Sequence, residues 1–550
     1  MEHPVASATG LDLDPLSLGI MWDRLISISD EIVETLVRTS FSTIVREGYD
    51  LSVMLFDREA RMMVQGTRSI PVFVGTAPVT LRHMLNRFPP ETLKPGDVVV
   101  TNDPMMGTGH LFDICVMRPV FQNGALVAYS MSVTHLPDIG GMGFSAVATE
   151  MYHEGILIPI CKLYDEGVLN ELLVEIIRSN VRVPEQVLGD IFANVSCTEV
   201  GARQLVEFMA EYGVADLVPL SRAIQAQSEQ AMRARIREIP DGVYTNRIDF
   251  EGIDGPLHLA CRIDKAGDGL AIDFTGSSPA VRAGINVPFC YTRAMALFSI
   301  KCLTAPSIPN NEGSVAPVEV RAPEGSILNA IPPMATAGRH IVGHFVTPLI
   351  FGALAKALPE RVQADCGMIN IVTFQGRQPN GRQLSALYFA AGGFGALDQL
   401  DGYSTTPGPS NMGCVPVETW ESRTGLTVEH KHLLPDSGGP GAARGGLGQE
   451  IQFRNDTGAE VVVFSMANRT EFAPKGLAGG GAGTLREHRI NGVVVDPKGR
   501  QVLAPGDRMT LREAGGGGMG DPRARDRAAV AADLRDGLIS ADAARDVYGL

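Results

Sequence analysis

The chain has 550 residues, too many for one ordinary hydrophobic core, and a hydrophobic content of 45% is enough for two or three packed units. A formal charge of −15, with no Lys/Arg-rich run and 6% aromatic residues, argues against nucleic acid or an anionic membrane surface as partner. No window approaches the roughly 20 apolar residues that span a bilayer, no basic-then-apolar segment opens the chain, and the eight cysteines form no Cys-x-x-Cys pair, so a cytoplasmic protein with reduced, mostly buried thiols is expected.

Leu18, Met21, Trp22, Leu25, Ile28, Ile32 and Leu36 recur at three-to-four spacing and predict a long amphipathic helix, after which YDLSVMLFD switches to a strand-like run. CVMRPVF and ALVAYSMSV flank Gln122-Asn123-Gly124, and Asn-Gly between two apolar runs is a strong hairpin signal. A second helix is predicted over about 184–212, with Leu188, Ile191, Phe192, Val195, Leu205 and Met209 as its stripe. Residues from about 235 to 330 read as strands with loops, and GHFVTPLIFGALAKALP as another helix. Glycine is the outlier, 61 of 550 residues against a usual share of about 7%, with clusters DSGGPGAARGGLG, GLAGGGAG and AGGGGMGDP in the second half. The alternating segments EVVVFSM and NGVVVDP between them predict an antiparallel, turn-rich β region, closed by a short helical tail, RDRAAVAADLRDG. The expected fold class is α+β with several units. These are a mixed α and β unit over 1–235, central strands and a helix over 236–420, the glycine-rich β region over 421–522 and the tail over 523–550.

The stretch TNDPMMGTGHLFDICV, Thr101 to Val116, sets a glycine-rich turn, a histidine and two aspartates ahead of an apolar run. With Asn123 and Gly124 as loop residues, Gln122 pairs with Ala125 and His135 lies opposite Phe112. His110, Phe112 and His135 then share one face, while Asp113 in a strict ladder points away. The ladder is therefore expected to fray near Asp113, where Gly107 and Gly109 allow a loop. That brings His110, Asp113 and His135 together, with Asp138 of HLPDIGG close behind. Histidines beside turns more often cap or hydrogen-bond; convergence at one hairpin end is what favours ligation. Neutral imidazole plus carboxylate suits zinc, manganese or iron, and three or four such ligands with an open position make a catalytic arrangement.

GGGGMG at 515–520 matches the dinucleotide fingerprint in form, but too little chain follows to complete a βαβ unit. No Walker A, Gly-x-Ser-x-Gly or His-Glu-x-x-His sequence occurs, so any ATP is expected on another chain. Arg339, His340 and His344 in GRHIVGHFV read as helix-surface or helix-start groups, with anion binding in a cleft as the alternative. His430 and His432 in EHKHLLP are expected to face solvent, and Cys115, inside an apolar strand, to be an inert thiol.

Together VTNDPMMGTGHLFDICV, THLPDIGG, EGILIP, NVRVPEQVLGDIFANVSCTEVG, LLPDSGGPGAARGGLG and AGGGGMGDP resemble the hydantoinase B family, in order from about Pro15 to Leu550. That family supplies the partner subunit of ATP-dependent hydantoinases and oxoprolinases and is related to a subunit of acetone and acetophenone carboxylases. The resemblance implies a two-component enzyme. A hydantoinase A-like subunit binds Mg-ATP and phosphorylates an amide or carbonyl oxygen of a small molecule, and this chain completes the reaction. It also implies a divalent metal on His110 and Asp113 of GHLFD, His135 of THLPD and a carboxylate of REGYDLS, Glu47 or the competing Asp50. Asp138 or Asp50 would accept the proton, and two copies of each subunit would assemble. The chain departs from the family pattern at Gly48, where arginine is usual, and at Ser69, Phe73 and Thr134, where histidine is usual. The leading expectation is hydrolysis of a cyclic amide such as a hydantoin, 5-oxoproline or lactam. The alternatives are a ketone carboxylase subunit and a non-catalytic assembly subunit.

Overall fold

The computed structural model describes residues 14–550; residues 1–13 of the first expected unit, and with them the opening at which no export segment is expected, lie outside the described residues. Asp14 caps the first helix, its side chain accepting the N–H groups of Leu16 and Ser17, and Pro15 takes the first position, where a missing N–H costs nothing. The helix spans Pro15–Thr39 and buries Leu18, Trp22, Leu25, Ile28, Ile32 and Leu36 of the predicted stripe, with Met21 half-buried at its edge.

A seven-stranded sheet follows: β1 Leu51–Asp57, β2 Met62–Gln65, β3 Val98–Thr101, β4 Asp113–Gln122, β5 Ala125–His135, β6 Cys161–Asp165 and β7 Val168–Leu169, ordered β2-β1-β5-β4-β3-β6-β7. Every neighbouring pair is antiparallel. The helix Pro184–Glu211 lies across β4 and β5. Asn194 on it donates to Thr134 Oγ1 at 2.7 Å, and Asp190 accepts the N–H groups of Phe41 at 2.6 Å and Ser42 at 3.2 Å. Thr134, Ser132 and Ser130 therefore face this helix, and by alternation His135, Val133 and Met131 face the larger core.

The hairpin turn is as predicted, with Asn123 and Gly124 both left-handed (φ 51° and 80°), but the register is not. Gln122 pairs with Ala125 and Phe121 with Leu126, after which Val120 pairs with Ala128 and leaves Val127 as a bulge. Every later partner moves by one, so His135 faces Asp113 rather than Phe112. No fraying is needed, because the bulge turns the two side chains to the same face.

Further along, Gly242–Glu251, Pro256–Ala266, Gly269–Asp273 and Val318–Arg321 form a four-stranded sheet whose last pair is parallel. The stretch read as strands and loops up to 330 also holds the helix Phe289–Thr304, most of whose residues are buried on every side. A helix without a polar face gives no 3.6-residue period to read. Ile369–Arg377 and Gln383–Ala391, expected in the central unit, share a sheet with Val461–Ser465 and Arg500–Leu503 of the glycine-rich part. A five-stranded sheet runs from Leu426 to Arg512.

The glycine clusters are not turns. Segments around 393, 439–446, 481 and 516–518 lie side by side and bond backbone to backbone, as in Gly446 N–H to Phe394 O at 2.8 Å, Gly516 N–H to Gly446 O at 2.9 Å and Gly439 N–H to Gly516 O at 2.8 Å. A Cβ on Gly515 would sit 1.8 Å from the Ser437 carbonyl oxygen, so only glycine permits this spacing. Among the described residues no helix is long and apolar enough to cross a membrane. The eight cysteines are free, and burial raises the Cys115 thiol well above its ordinary range.

Candidate metal centre

On the inner face of the first sheet the bulged register sets Asp113 beside His135, and the tight turn through Gly109 (φ 103°) delivers His110 to the same point. One ligand atom from each of His110, Asp113 and His135 lies within 4.8 Å of the others, and all three residues are buried; this is the one such group among the described residues.

The donor chemistry fits a cation. His110 Nδ1 is 3.2 Å from the Ala337 carbonyl and His135 Nδ1 is 2.8 Å from the Leu136 carbonyl. A carbonyl only accepts, so both Nδ1 atoms carry the proton and both Nε2 atoms keep a lone pair. Neither Nε2 has a hydrogen-bond partner, although His110 Nε2 lies 2.9 Å from Asp113 Oδ1. Two buried imidazole nitrogens and a carboxylate converging on one point, with His135 Nε2 unpartnered, is the pattern an ion would complete. Burial, with His110 adding to it, pushes His135 down to about 3, so its ring is neutral. Burial alone would raise Asp113, but His110 and the Arg339 guanidinium outweigh it and hold the carboxyl below its ordinary range. Arg339 donates to Asp113 Oδ2 at 2.8 Å and to the Thr108 carbonyl at 2.8 Å, and Thr108 Oγ1 donates to the same Oδ2.

Asp50, one residue ahead of β1, lines the same cavity. Its carbonyl accepts the His135 N–H at 3.2 Å, extending the β1–β5 ladder, and Tyr49 before it is held left-handed at φ 54°. Burial, with the Asp113 charge adding, pushes the Asp50 carboxyl up to about 8. Glu47, the first choice from sequence, ends the short helix Thr43–Arg46, is half-buried and is not among the cavity-lining residues. The chain turns between the two, and only Asp50 is tied to β5. Asp138 is buried away from the cavity, its Oδ1 taking the Arg182 guanidinium at 2.7 Å and the Gly140 N–H at 3.1 Å, so it braces the loop after His135.

The helix-surface expectation for Arg339, His340 and His344 is corrected: all three are buried and line the cavity. Burial holds both histidines far below their ordinary range, His344 at about 3, and His340 Nε2 and His344 Nδ1 are without partners. Their four-residue spacing was visible in sequence; that they fold onto a hairpin some 200 residues earlier was not. The cavity encloses about 50 Å³, walled by Val72, Phe73, Phe144, Ile369 and Met412, room for an ion and a few waters. A second cavity of about 180 Å³ shares Ile369 and Met412 with it. Phe73 is part of the wall, Ser69 Oγ accepts the Val53 N–H at 3.2 Å, and Thr134 faces the helix, so histidine's absence at 134 leaves the triad untouched. His432 is exposed as expected, while His430 pairs with Glu450 at 3.0 Å across the sheet.

The family model described as hydantoinase B/oxoprolinase matches residues 14–522. Caprolactamase subunit beta of Pseudomonas jessenii is 29% identical over 568 residues, covering 98% of this chain and 96% of that protein. The crystal structure of ATP-dependent caprolactamase from Pseudomonas jessenii matches with a TM-score of 0.90 at 27% identity, over 98% of this chain and 96% of that one. A nucleotide-free structure of acetone carboxylase matches with a TM-score of 0.88 at 20% identity, over 98% of this chain and 79% of that one, and shows a shared fold.

Proposed function

The chain belongs to the hydantoinase B/oxoprolinase family, and from that membership we propose that it is the metal-bearing subunit of an ATP-dependent cyclic-amide hydrolase. Its substrate is a ring of the hydantoin, 5-oxoproline or lactam kind. The observation that carries the metal role is the buried triad His110, Asp113 and His135, with both Nε2 lone pairs turned to one point. Caprolactamase carries the matching chain as a subunit beta, which supports a partner for this one. That partner is a hydantoinase A-like subunit holding Mg-ATP, with two copies of each in the assembly.

An amide resists water because its nitrogen donates into the carbonyl. Phosphorylation of the carbonyl oxygen on the partner removes that resonance and leaves an electrophilic carbon. A zinc, manganese or iron ion in the triad would polarise an oxygen and lower the pKa of a water. His110 and His135 would hold it through Nε2, each ring oriented by its Nδ1 proton on a backbone carbonyl. Arg339 fixes the Asp113 carboxylate, and Asp50 in the same cavity, ionised once a bound cation offsets the burial and the Asp113 charge that keep it protonated, would serve as the further carboxylate or take the proton of the attacking water. The wall of Phe73, Phe144, Ile369 and Met412 puts an apolar surround about the triad, which limits the water that reaches it.

The test is co-expression with a hydantoinase A-like subunit, followed by assay of ADP release and ring opening on hydantoins, 5-oxoproline and lactams, then on ketones with bicarbonate. ADP release matched to ring opening is expected. Ring opening by the isolated chain without ATP would remove both partner and activation, and turnover confined to ketone plus bicarbonate would make the chain a carboxylase subunit.

A further inference from the structure

Glu154, from the EGILIP stretch, is fully buried, yet it does not line the metal cavity and the proposed chemistry leaves it unused. A buried carboxyl is expensive unless its hydrogen bonds do something specific. Its Oε1 accepts two adjacent backbone N–H groups, Thr336 at 2.7 Å and Ala337 at 2.6 Å. The carbonyl of that same Ala337 takes the Nδ1 proton of His110 at 3.2 Å, and Arg339, two residues on, holds Asp113. The segment 336–339 thus reaches two members of the triad, and Glu154 grips it from behind.

The other side of Glu154 is tied to the third member. The loop after His135 packs on residues 153–156: Ile156 N–H bonds Ile139 O at 2.9 Å and Met142 N–H bonds His153 O at 2.8 Å. Neither Gly141 (φ 56°) nor Gly155 (φ 147°) has room for a Cβ, since one at Gly141 would meet the Glu154 carbonyl carbon at 2.6 Å and one at Gly155 the Ile139 carbonyl oxygen at 2.4 Å. Glu154 therefore sits between the loop that follows His135 and the segment that aims His110.

The geometry points to Glu154 as a positioning residue of the metal centre. By holding the N–H groups of Thr336 and Ala337 it sets the Ala337 carbonyl, which fixes the tautomer and ring orientation of His110, and so the separation of the two histidines. Burial pushes its carboxyl up to about 8, so near neutrality it is mainly the uncharged acid and glutamine is a close mimic. The acceptor oxygen, rather than charge, does the holding.

This rests on the triad being a metal site, and the experiment separates the two claims. Cobalt(II) is titrated into the full-length chain against a chelator, and the visible d–d spectrum is recorded for wild type, Glu154→Gln and Glu154→Met. Glutamine keeps the acceptor; methionine keeps the volume and removes it. Methionine is expected to weaken cobalt binding about 10-fold and change the spectrum, with glutamine restoring both, in line with the usual cost of losing a ligand's orienting contact. Should Glu154→Met fail to fold, Glu154→Asp, one methylene short of the two N–H groups, takes its place with the same expectation. A folded Met or Asp variant with wild-type affinity and spectrum, or a Gln variant as weak as Met, overturns the inference alone. A wild-type chain that binds no cobalt overturns the metal reading and this inference with it.

Discussion

His110 and His135 each spend one nitrogen on a backbone carbonyl and turn the other to the cavity, a division that suits the pair to the ligand role proposed for them. Removing one should therefore empty the site without dismantling the core around it. His110→Ala is expected to lose the metal while keeping its circular dichroism and melting transition, and full metal occupancy in the folded variant would contradict the assignment. The carboxylates separate by the same logic. Asp50→Asn should lower kcat about 100-fold or more in the assembled enzyme, the usual cost of a positioned proton acceptor, while Glu47→Gln stays at the wild-type level. Equal losses in both, or loss only at Glu47, would return the role to Glu47. Sequence left these two open because they stand three residues apart in one stretch, and the left-handed Tyr49 that turns the chain between them carries no compositional mark.

At the level of elements, hairpin and sheet decide where His110, Asp113 and His135 point. The Asn123-Gly124 turn was legible because both residues tolerate left-handed backbone. The bulge at Val127 was not, since Leu126, Val127 and Ala128 are all apolar and leave no break in the pattern that a register argument could use. Glycine positions give the sharpest contrast in stability. Gly124→Ala meets no neighbouring atom and pays only for its φ of 80°, about 1 kcal/mol. Gly515→Ala would press a methyl to 1.8 Å from the Ser437 carbonyl oxygen and force the packed backbones apart, a loss of more than about 3 kcal/mol, beyond the overpacking of an ordinary core. Denaturant midpoints of the two variants check this, and comparable midpoints would mean the glycine segments do not pack as described.

For the whole molecule, the glycine clusters that resemble a phosphate-binding loop in composition are committed to backbone packing, with Gly516 N–H on Gly446 O and Gly518 N–H on Gly481 O. Those amides are not free to cradle a phosphate. Calorimetry with Mg-ATP on the isolated chain should show no binding, and micromolar affinity would show that a nucleotide site lies elsewhere in it.

What the sequence determined by itself was whatever local periodicity and short motifs encode: the helices Pro15–Thr39 and Pro184–Glu211, the Asn-Gly hairpin, and His110, Asp113 and His135 as a set. Each depends on residues near one another along the chain or on a pattern that repeats. The tertiary structure decided that Asp50 rather than Glu47 lines the cavity beside them, that Arg339, His340 and His344 close it, and that Glu154 stands behind it. Arg339 reaches Asp113 across 226 residues of sequence, and contacts of that span follow from how sheets and buried helices stack, which no local spacing records.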